Sequence, residues 1–195
     1  MKTSYGITGG IASGKSAVCR LLHAMGHPVF YCDDEAKRII RTDPDVRREL
    51  TAVVGEGVYD DEGRLVKSVL AAYICRGRDC SERVDAIVHP RVREAYKAWH
   101  ARQTAETTFM ECALLFESGF DRLVDRTVLV HTRDEVRLAR LMARDGISRA
   151  QARKWMALQM TEEEKLARAD IVISNDGTPE ALEREVREHL FRETP

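Results

Sequence analysis

The residues with the clearest chemical signature lie near the start of the chain, in the segment ITGGIASGKSA. Gly9, Gly14, Lys15 and Ser16 satisfy the pattern G-x-x-x-x-G-K-[ST]. Glycines let the backbone approach a phosphate closely, so that successive N–H groups converge on its oxygens. The lysine reaches the β- and γ-phosphates, and the serine hydroxyl ligates Mg²⁺. The pattern predicts a nucleoside triphosphate site formed by Gly10, Ile11, Ala12, Ser13, Gly14, Lys15, Ser16 and Ala17.

Two acidic side chains follow predicted strands. Asp33, in YCDDEAKR, comes after the second strand, and the carboxyl ends of parallel strands line a ligand crevice. A carboxylate there can orient an attacking hydroxyl and accept its proton. Asp33 or Asp34 would equally serve to cap the helix that starts in this segment. Glu111, near the end of the third strand, is a candidate magnesium-facing acid or simply an acid beside an apolar run.

A stripe of arginines follows the fourth predicted strand. Arg137, Arg140 and Arg144 have i, i+3, i+7 spacing and share one face of a predicted helix. Such a face is ordinarily solvated. Because the helix leads into DGIS, whose Gly146 resembles a hinge, the same guanidinium groups are candidates to close over a transferring phosphoryl group.

The elements that must position these residues alternate between strand and helix. We expect strands in SYGIT, PVFYC, TTFMECALLF, RTVLVHT and ADIVIS, with helical patterns between them and after the last. This order is typical of a parallel sheet covered by helices on both faces. The predicted fold class is therefore α/β, a three-layer core of the P-loop NTPase type with a five-stranded parallel sheet.

Two helical segments interrupt this alternation. Residues 34–105 contain helical patterns without a strand, in DPDVRRELTAVVG, VKSVLAAYICRG and SERVDAIVHPRVREAYKAWHARQ, far more than a crossover needs. Residues 134–165 are predicted to form a basic helix, a glycine hinge and a second helix. We expect the first segment to bind an acceptor and the second to act as a lid. The nucleotide-binding core then comprises 1–33, 106–133 and 166–195.

Composition narrows the class of protein. The chain has 195 residues, and its 31 basic and 32 acidic residues give a net charge of -1, which argues against a general nucleic-acid or membrane-surface binder. No stretch approaches the roughly 18 apolar residues of a membrane span, and the opening residues lack a leader-like apolar region. Five cysteines without a C-x-x-C pair predict reduced thiols and a cytoplasmic location.

Along nearly its whole length the sequence resembles the dephospho-CoA kinase family. GITGGIASGKS is similar to the family's opening G-L-T-G-G-I-G-S-G-K-S, YCDDEAKR to D-x-D-x-x-A-R, and ECALLFE to D-I-P-L-L-F-E. IVHPRVR resembles the H-P motif of the family's acceptor domain. RLARLMARDGISRAQARKWMALQ resembles its lid, with paired arginines and a glutamine at Gln159, and ADIVISNDG resembles A-D-x-V-I-x-N-x-G.

The resemblance implies that ATP, with Mg²⁺, phosphorylates the ribose 3′-hydroxyl of dephospho-CoA to give CoA and ADP. ATP and dephospho-CoA are then the partners, with neither a nucleic acid nor a membrane. The implied catalytic residues are Asp33, Lys15 and Arg140, and the implied magnesium ligands are Ser16 and Glu111. Arg140, Arg144 and Asn175 join the phosphate loop in binding ATP. Lys37, His89, Leu115 and Glu117 join Asp33 around the acceptor.

Four positions depart from the family pattern. Tyr31 replaces the first aspartate of D-x-D, which leaves Asp33 as the carboxylate of that pair. Lys37 replaces an arginine and so loses a bidentate fork. Ala113 stands in place of the usual proline and Glu111 in place of the usual aspartate. These changes affect the contacts expected around the acceptor.

Other functions fit parts of the same pattern. A nucleoside, nucleotide or shikimate-type kinase would share the core and the lid. A GTPase-type switch fits less well, because the guanine-reading N-K-x-D element has no counterpart in SNDG. A motor ATPase is disfavoured by the short chain and by a third strand without a long apolar run ending in aspartate.

Overall fold

The computed structural model describes residues 2–191. Residues 1 and 192–195, at the ends of the predicted core segments, lie outside the described residues. The chain divides into two compact units. The first contains the residues up to Phe30 and those from Gln103 onward, and the second is Tyr31–Arg102.

The strands form one sheet in the order β2-β3-β1-β4-β5. They are β1 (Thr3–Thr8), β2 (Val29–Tyr31), β3 (Thr107–Glu111), β4 (Arg126–His131) and β5 (Ile171–Ser174). The central strand β1 pairs in parallel with both neighbours, so that Ile7 lies opposite Glu111 on one side and Val128 on the other. The five-stranded parallel sheet and the α/β class predicted from the sequence are confirmed. Cys32 is the exception at a boundary, since it begins a helix instead of ending β2.

The helices within residues 2–191 follow the predicted pattern except after Gly146. They are α1 (Lys15–Ala24), α2 (Cys32–Thr42), α3 (Pro44–Val54), α4 (Lys67–Ile74), α5 (Arg78–Arg102), α6 (Asp134–Asp145), α7 (Arg149–Met156), α8 (Glu162–Arg168) and α9 (Pro179–Leu190). Short 3-10 turns occur at Glu56–Val58 and Phe120–Leu123.

The core of the first unit lies between the sheet and the helices α1 and α9. Ile7, Phe109 and Val128 from three strands are fully buried, together with Val18 of α1 and Val186 of α9. Each such side chain contributes roughly 1.5–3 kcal/mol through removal of apolar surface from water. This packing fixes the amino end of α1, and therefore the loop that precedes it, against the end of β1.

The segment after Gly146 differs from its prediction. One helix was expected there, but the structure has two, α7 and α8. The reason is a reciprocal capping box: Thr161 Oγ1 accepts the Glu164 N–H at 3.2 Å, and Glu164 Oε2 accepts the Thr161 N–H at 2.9 Å. These bonds satisfy donors that a helix start would otherwise leave unpaired, so a new helix begins here.

The second unit is helical. Its α2, α3, α4 and α5 coincide with the helical patterns predicted between the second and third strands. Ile39, Leu50, Val88 and Tyr96 are among its buried side chains. The Asp43 carboxylate caps α3 by accepting backbone N–H groups of its first turn.

The five cysteines are all free thiols, three of them buried and Cys75 exposed. None of the helices in residues 2–191 is both long and apolar enough to cross a lipid bilayer.

Candidate functional site

The phosphate loop, Gly9–Gly14, connects the end of β1 to the start of α1. Gly14 is the N-cap residue of α1 and has φ 96°, in the left-handed region that favours glycine. Ala12 also has a positive φ, 61°, an uncommon conformation for a residue with a side chain. The Lys15 ammonium donates to the Gly9 carbonyl at 2.9 Å, and so folds back across the loop. This is the strand, glycine loop and helix that the sequence predicted.

The far side of the loop is braced by polar side chains that directly follow β4 and β5. Asn175 Nδ2 donates to the Ser13 carbonyl at 2.7 Å, and the Thr132 hydroxyl donates to the same oxygen at 2.9 Å. A Cβ at position 14 would lie 2.0 Å from Asn175 Nδ2, so Gly14 is required by space as well as by φ. Asn175, predicted to bind ATP, is itself 7% exposed.

The backbone of Ile11, at the apex of the loop, is hydrogen-bonded through both its N–H and its carbonyl. Its N–H donates to Gln159 Oε1 at 2.7 Å, and its carbonyl accepts from Arg137 Nε at 3.1 Å. The arginine stripe made Arg137 a candidate to close over a phosphoryl group, whereas the family resemblance did not include it among the site residues. Its helical spacing gave no signal for burial, whereas in the structure it is 4% exposed.

The other two arginines of the stripe are more accessible. Arg140 is half-buried and donates from Nη2 to the Asn175 carbonyl at 3.0 Å, which places it beside the phosphate loop. Arg144 is exposed and forms a two-pronged pair with Asp145, with both distances 2.8 Å. The bond to Asp145 raises the pKa of Arg144. The stripe therefore divides into one buried, one intermediate and one exposed guanidinium.

Oxygen donors suited to Mg²⁺ occur in the same unit. Ser16 is exposed in the first turn of α1, and Glu111, the last residue of β3, is 9% exposed. Mg²⁺ is usually held in nucleotide sites by one or two protein oxygens together with phosphates and waters. Residues 2–191 contain no cluster of three or more His, Cys, Asp or Glu side chains placed to hold a metal. A hydroxyl and one carboxylate fit an ion held mainly by phosphate.

A buried thiol lies near Glu111. Burial and then the Glu111 charge raise the pKa of Cys19 to about 12, against smaller opposing effects of Lys15 and Arg20. Cys19 therefore stays neutral near pH 7 and is not a nucleophile.

Asp33 lies in the first turn of α2, in the second unit, and is exposed. The N-cap position belongs to Tyr31, and no side chain there makes a capping hydrogen bond. The alternative that Asp33 or Asp34 is the helix cap is therefore wrong. Asp34 instead accepts from Lys37 Nζ at 2.9 Å, and this bond raises the pKa of Lys37.

The remaining acceptor candidates have different surroundings. In the second unit, His89 Nε2 lies 3.5 Å from Asp85 Oδ1, and burial lowers the pKa of His89. In the first unit, Leu115 is fully buried and its methyl groups pack at Gly6. Glu117 accepts the Met160 N–H at 3.1 Å. Their contact with an acceptor stays a prediction.

Lys165 on α8 is a buried cation that sequence reasoning missed. Its side chain is 1% exposed. Burial lowers its pKa; the charges of Glu117 and Glu162 oppose this effect, and those of Arg137 and Lys15 add to it. Within EEEKLAR the lysine resembles any other solvated charge, so no sequence signal distinguished it.

Comparison with known proteins assigns the chain to a family. The family model described as dephospho-CoA kinase matches residues 3–180. The chain belongs to the dephospho-CoA kinase family. A dephospho-CoA kinase of Bacteroides fragilis is 43% identical over 178 residues, which cover 91% of this chain and 86% of that protein. One from Geobacillus kaustophilus is 36% identical, and the alignment covers 95% and 94% of the two chains.

The fold agrees with that assignment. The crystal structure of a Thermus thermophilus protein, 36% identical, superposes with a TM-score of 0.83 over 96% of this chain and 95% of its own. The family predicted from the motifs is confirmed, and so is the prediction that the chain is an enzyme, a kinase. The roles of individual residues stay predictions.

Proposed function

We propose that this chain transfers the γ-phosphoryl group of ATP to the ribose 3′-hydroxyl of dephospho-CoA. The observation that carries the proposal is a braced phosphate loop in a member of the dephospho-CoA kinase family. In the reaction the hydroxyl oxygen forms a bond to the γ-phosphorus, the bond from that phosphorus to the β,γ-bridging oxygen breaks, and ADP leaves. The products are CoA, ADP and a proton.

ATP would bind to the phosphate loop through backbone N–H groups of residues 10–17 and the positive end of α1. Lys15, which already donates within the loop, would reach the β- and γ-phosphates. Arg140, Arg144 and Asn175 would complete this site. Of these, Arg140 donates to the Asn175 carbonyl, and the Asn175 side chain donates to the loop at Ser13.

Mg²⁺ would be held by the Ser16 hydroxyl and Glu111 together with the phosphates. When bound, the ion supplies positive charge that offsets the negative charge of the transferring group. Lys15 and Arg140 would offset the same negative charge as fixed cations. Positive charge that is already in place before the reaction stabilises a transition state most effectively.

Asp33 would orient the acceptor hydroxyl and take its proton. Asp33 follows the carboxyl end of β2, as the phosphate loop follows that of β1, and both strands belong to one parallel sheet. Its carboxylate is exposed and makes no helix cap, so it is available to a substrate. Lys37, His89, Leu115 and Glu117 would border the acceptor, with the helical second unit holding its pantetheine arm.

The deciding experiment is a coupled ADP-release assay with dephospho-CoA, adenylate, shikimate and nucleosides as acceptors. We expect efficient turnover with dephospho-CoA and with none of the other acceptors in the panel. Comparable kcat/KM with adenylate or shikimate would instead support the alternative small-molecule kinase. Binding of GTP without phosphorylation of any acceptor would support the GTPase-type switch.

Lid closure and a cytoplasmic location belong to the same proposal. Gly146, with φ 66°, ends α6 and precedes α7, so the helices on either side meet at a hinge-like residue. Hydrogen exchange across residues 134–165 should slow when ATP and dephospho-CoA are both present. Unchanged exchange would contradict lid closure while leaving the reaction itself in place.

A further inference from the structure

We propose that Arg137 and Gln159 are positioning residues that clamp the backbone N–H and C=O groups of Ile11 and thereby hold the phosphate loop in its ATP-binding shape. The proposal rests on the proposed function, because it concerns how the nucleotide site is built. Neither side chain is required to touch ATP. Each acts through the backbone of the loop.

The two contacts fix the peptide units on either side of the Ile11 Cα, and they come from two separate parts of the chain. Gln159, in the segment between α7 and α8, accepts the Ile11 N–H at 2.7 Å. Arg137, on α6, donates from Nε to the Ile11 carbonyl at 3.1 Å. The Ile11 N–H belongs to the Gly10–Ile11 peptide unit and the Ile11 carbonyl to the Ile11–Ala12 unit, so neither of these successive units can rotate about its flanking bonds without breaking a hydrogen bond. The loop apex is therefore held in one orientation.

The guanidinium of Arg137 is held in place by carboxylates. Nη1 lies 3.1 Å from Glu162 Oε2 and 3.3 Å from Asp134 Oδ1. The other Glu162 oxygen lies 2.7 Å from His131 Nδ1, at the end of β4. A buried guanidinium needs such partners, because an unpaired buried charge is strongly unfavourable. The chain from β4 through Glu162 to Arg137 anchors the clamp in the sheet.

The neighbouring glycine shows how closely the clamp approaches the loop. A Cβ on Gly10 would lie 2.2 Å from Arg137 Nη2 and 2.4 Å from Cζ. The absence of a side chain at position 10 thus makes room for the guanidinium. Gly10 accordingly serves the contact with Arg137 in addition to any contact with a phosphate.

A cavity of about 600 Å³ lies beside the clamp, and Arg137, Gln159 and Glu162 line it. Replacement side chains of similar length can extend into this space without disturbing the core. Variants at positions 137 and 159 are therefore expected to fold, which makes the clamp testable through nucleotide binding.

The first variant is Gln159→Met, which keeps the length of the side chain and removes the acceptor of the Ile11 N–H. Loss of one such hydrogen bond should raise KM and Kd for ATP about three- to tenfold. KM for dephospho-CoA should not change. Hydrogen exchange of the peptide spanning residues 7–17 should quicken, since the Ile11 amide loses its partner. Gln151→Met on α7 is the matched control and should leave KM and Kd for ATP, KM for dephospho-CoA and the hydrogen exchange of residues 7–17 at wild-type values.

The second variant is Arg137→Lys, which keeps the positive charge beside Glu162. A lysine has no Nε–H fork, so it cannot bond the Ile11 carbonyl and both carboxylates together. KM for ATP should again rise about three- to tenfold. If charge alone mattered, this variant would match the wild type, and the clamp would be refuted at Arg137.

Partial unfolding does not obscure the result, because a smaller active fraction lowers kcat but leaves KM unchanged. Wild-type KM and Kd for ATP in both variants would overturn the proposal. A wild-type enzyme that binds ATP but fails to phosphorylate dephospho-CoA would overturn the proposed function instead. In that case the Kd for ATP of each variant still shows whether Arg137 and Gln159 hold the loop in its ATP-binding shape.

Discussion

The substitution Gly10→Ala provides a test of the clamp through protein stability. Gly10 is not among the glycines with positive φ, so its backbone conformation suits alanine. With nothing nearby, this change would stabilise the protein by about 0.4–1 kcal/mol, because alanine restricts the unfolded chain. The structure predicts the opposite sign, since the new methyl group collides with the Arg137 guanidinium.

The magnitude follows from the contacts that must break. The added Cβ would lie within 2.8 Å of both Nη atoms and of Cζ, so the guanidinium has to leave its place. Its bonds to the Ile11 carbonyl and to Glu162 are both 3.1 Å long and involve a charged donor. Such bonds contribute about 1.5–3 kcal/mol each. After partial re-pairing in the adjacent cavity, we expect a net destabilisation of about 2–4 kcal/mol.

The assay is urea denaturation followed by circular dichroism, applied to a double-mutant cycle. The cycle comprises the wild type, Gly10→Ala, Arg137→Met and the double variant. Once Arg137 is replaced by the flexible methionine, Gly10→Ala should cost little. The coupling energy between the two positions should therefore exceed about 1 kcal/mol. Additive effects, or a Gly10→Ala variant as stable as the wild type, would refute the steric argument.

Three further predictions concern the acid, the buried lysine and the thiols. Asp33→Asn should lower kcat by ~10²–10⁴ with KM for ATP near normal. The control Asp45→Asn, at the same helix position in α3, should have wild-type kinetics. Normal turnover of Asp33→Asn would exclude Asp33 as the base. Burial holds the pKa of Lys165 below its unfolded value of 10.5. Between the two values the unfolded chain binds more protons, so this contribution to the free energy of unfolding rises with pH up to about 10.5. Urea denaturation from about pH 7 to about 10.5 should show this rise in the wild type and lose it in Lys165→Met, and parallel curves would contradict it. Because the pKa of Cys19 is raised to about 12, a thiol reagent near neutral pH should label Cys75 and leave Cys19 unlabelled until urea is added, as peptide mass spectrometry would show.

Local sequence patterns determined the elements of the fold. Each strand of the sheet is a short apolar run next to a turn, and each helix has apolar residues at helical spacing, so both are decided by neighbours along the chain. The phosphate loop is of the same kind, since Gly9, Gly14, Lys15 and Ser16 act within one strand-to-helix connection. The family could also be predicted from the sequence, because its motifs occur in the expected order along the chain. Helical spacing does not predict the boundary between α7 and α8, whereas the capping box at Thr161 that begins α8 is a local signal for it.

Contacts between residues far apart in the sequence were decided only by the tertiary structure. Arg137, Arg140 and Arg144 are chemically identical and share one helix face by their spacing, yet one is buried, one half-buried and one exposed. The difference arises because Ile11, more than a hundred residues earlier in the chain, presents its carbonyl to Arg137. Likewise, Lys165 is buried because the carboxylates and helices around it come together only on folding. Helical periodicity specifies which side chains lie on the same face of a helix. Tertiary packing decides which groups of the folded protein that face contacts.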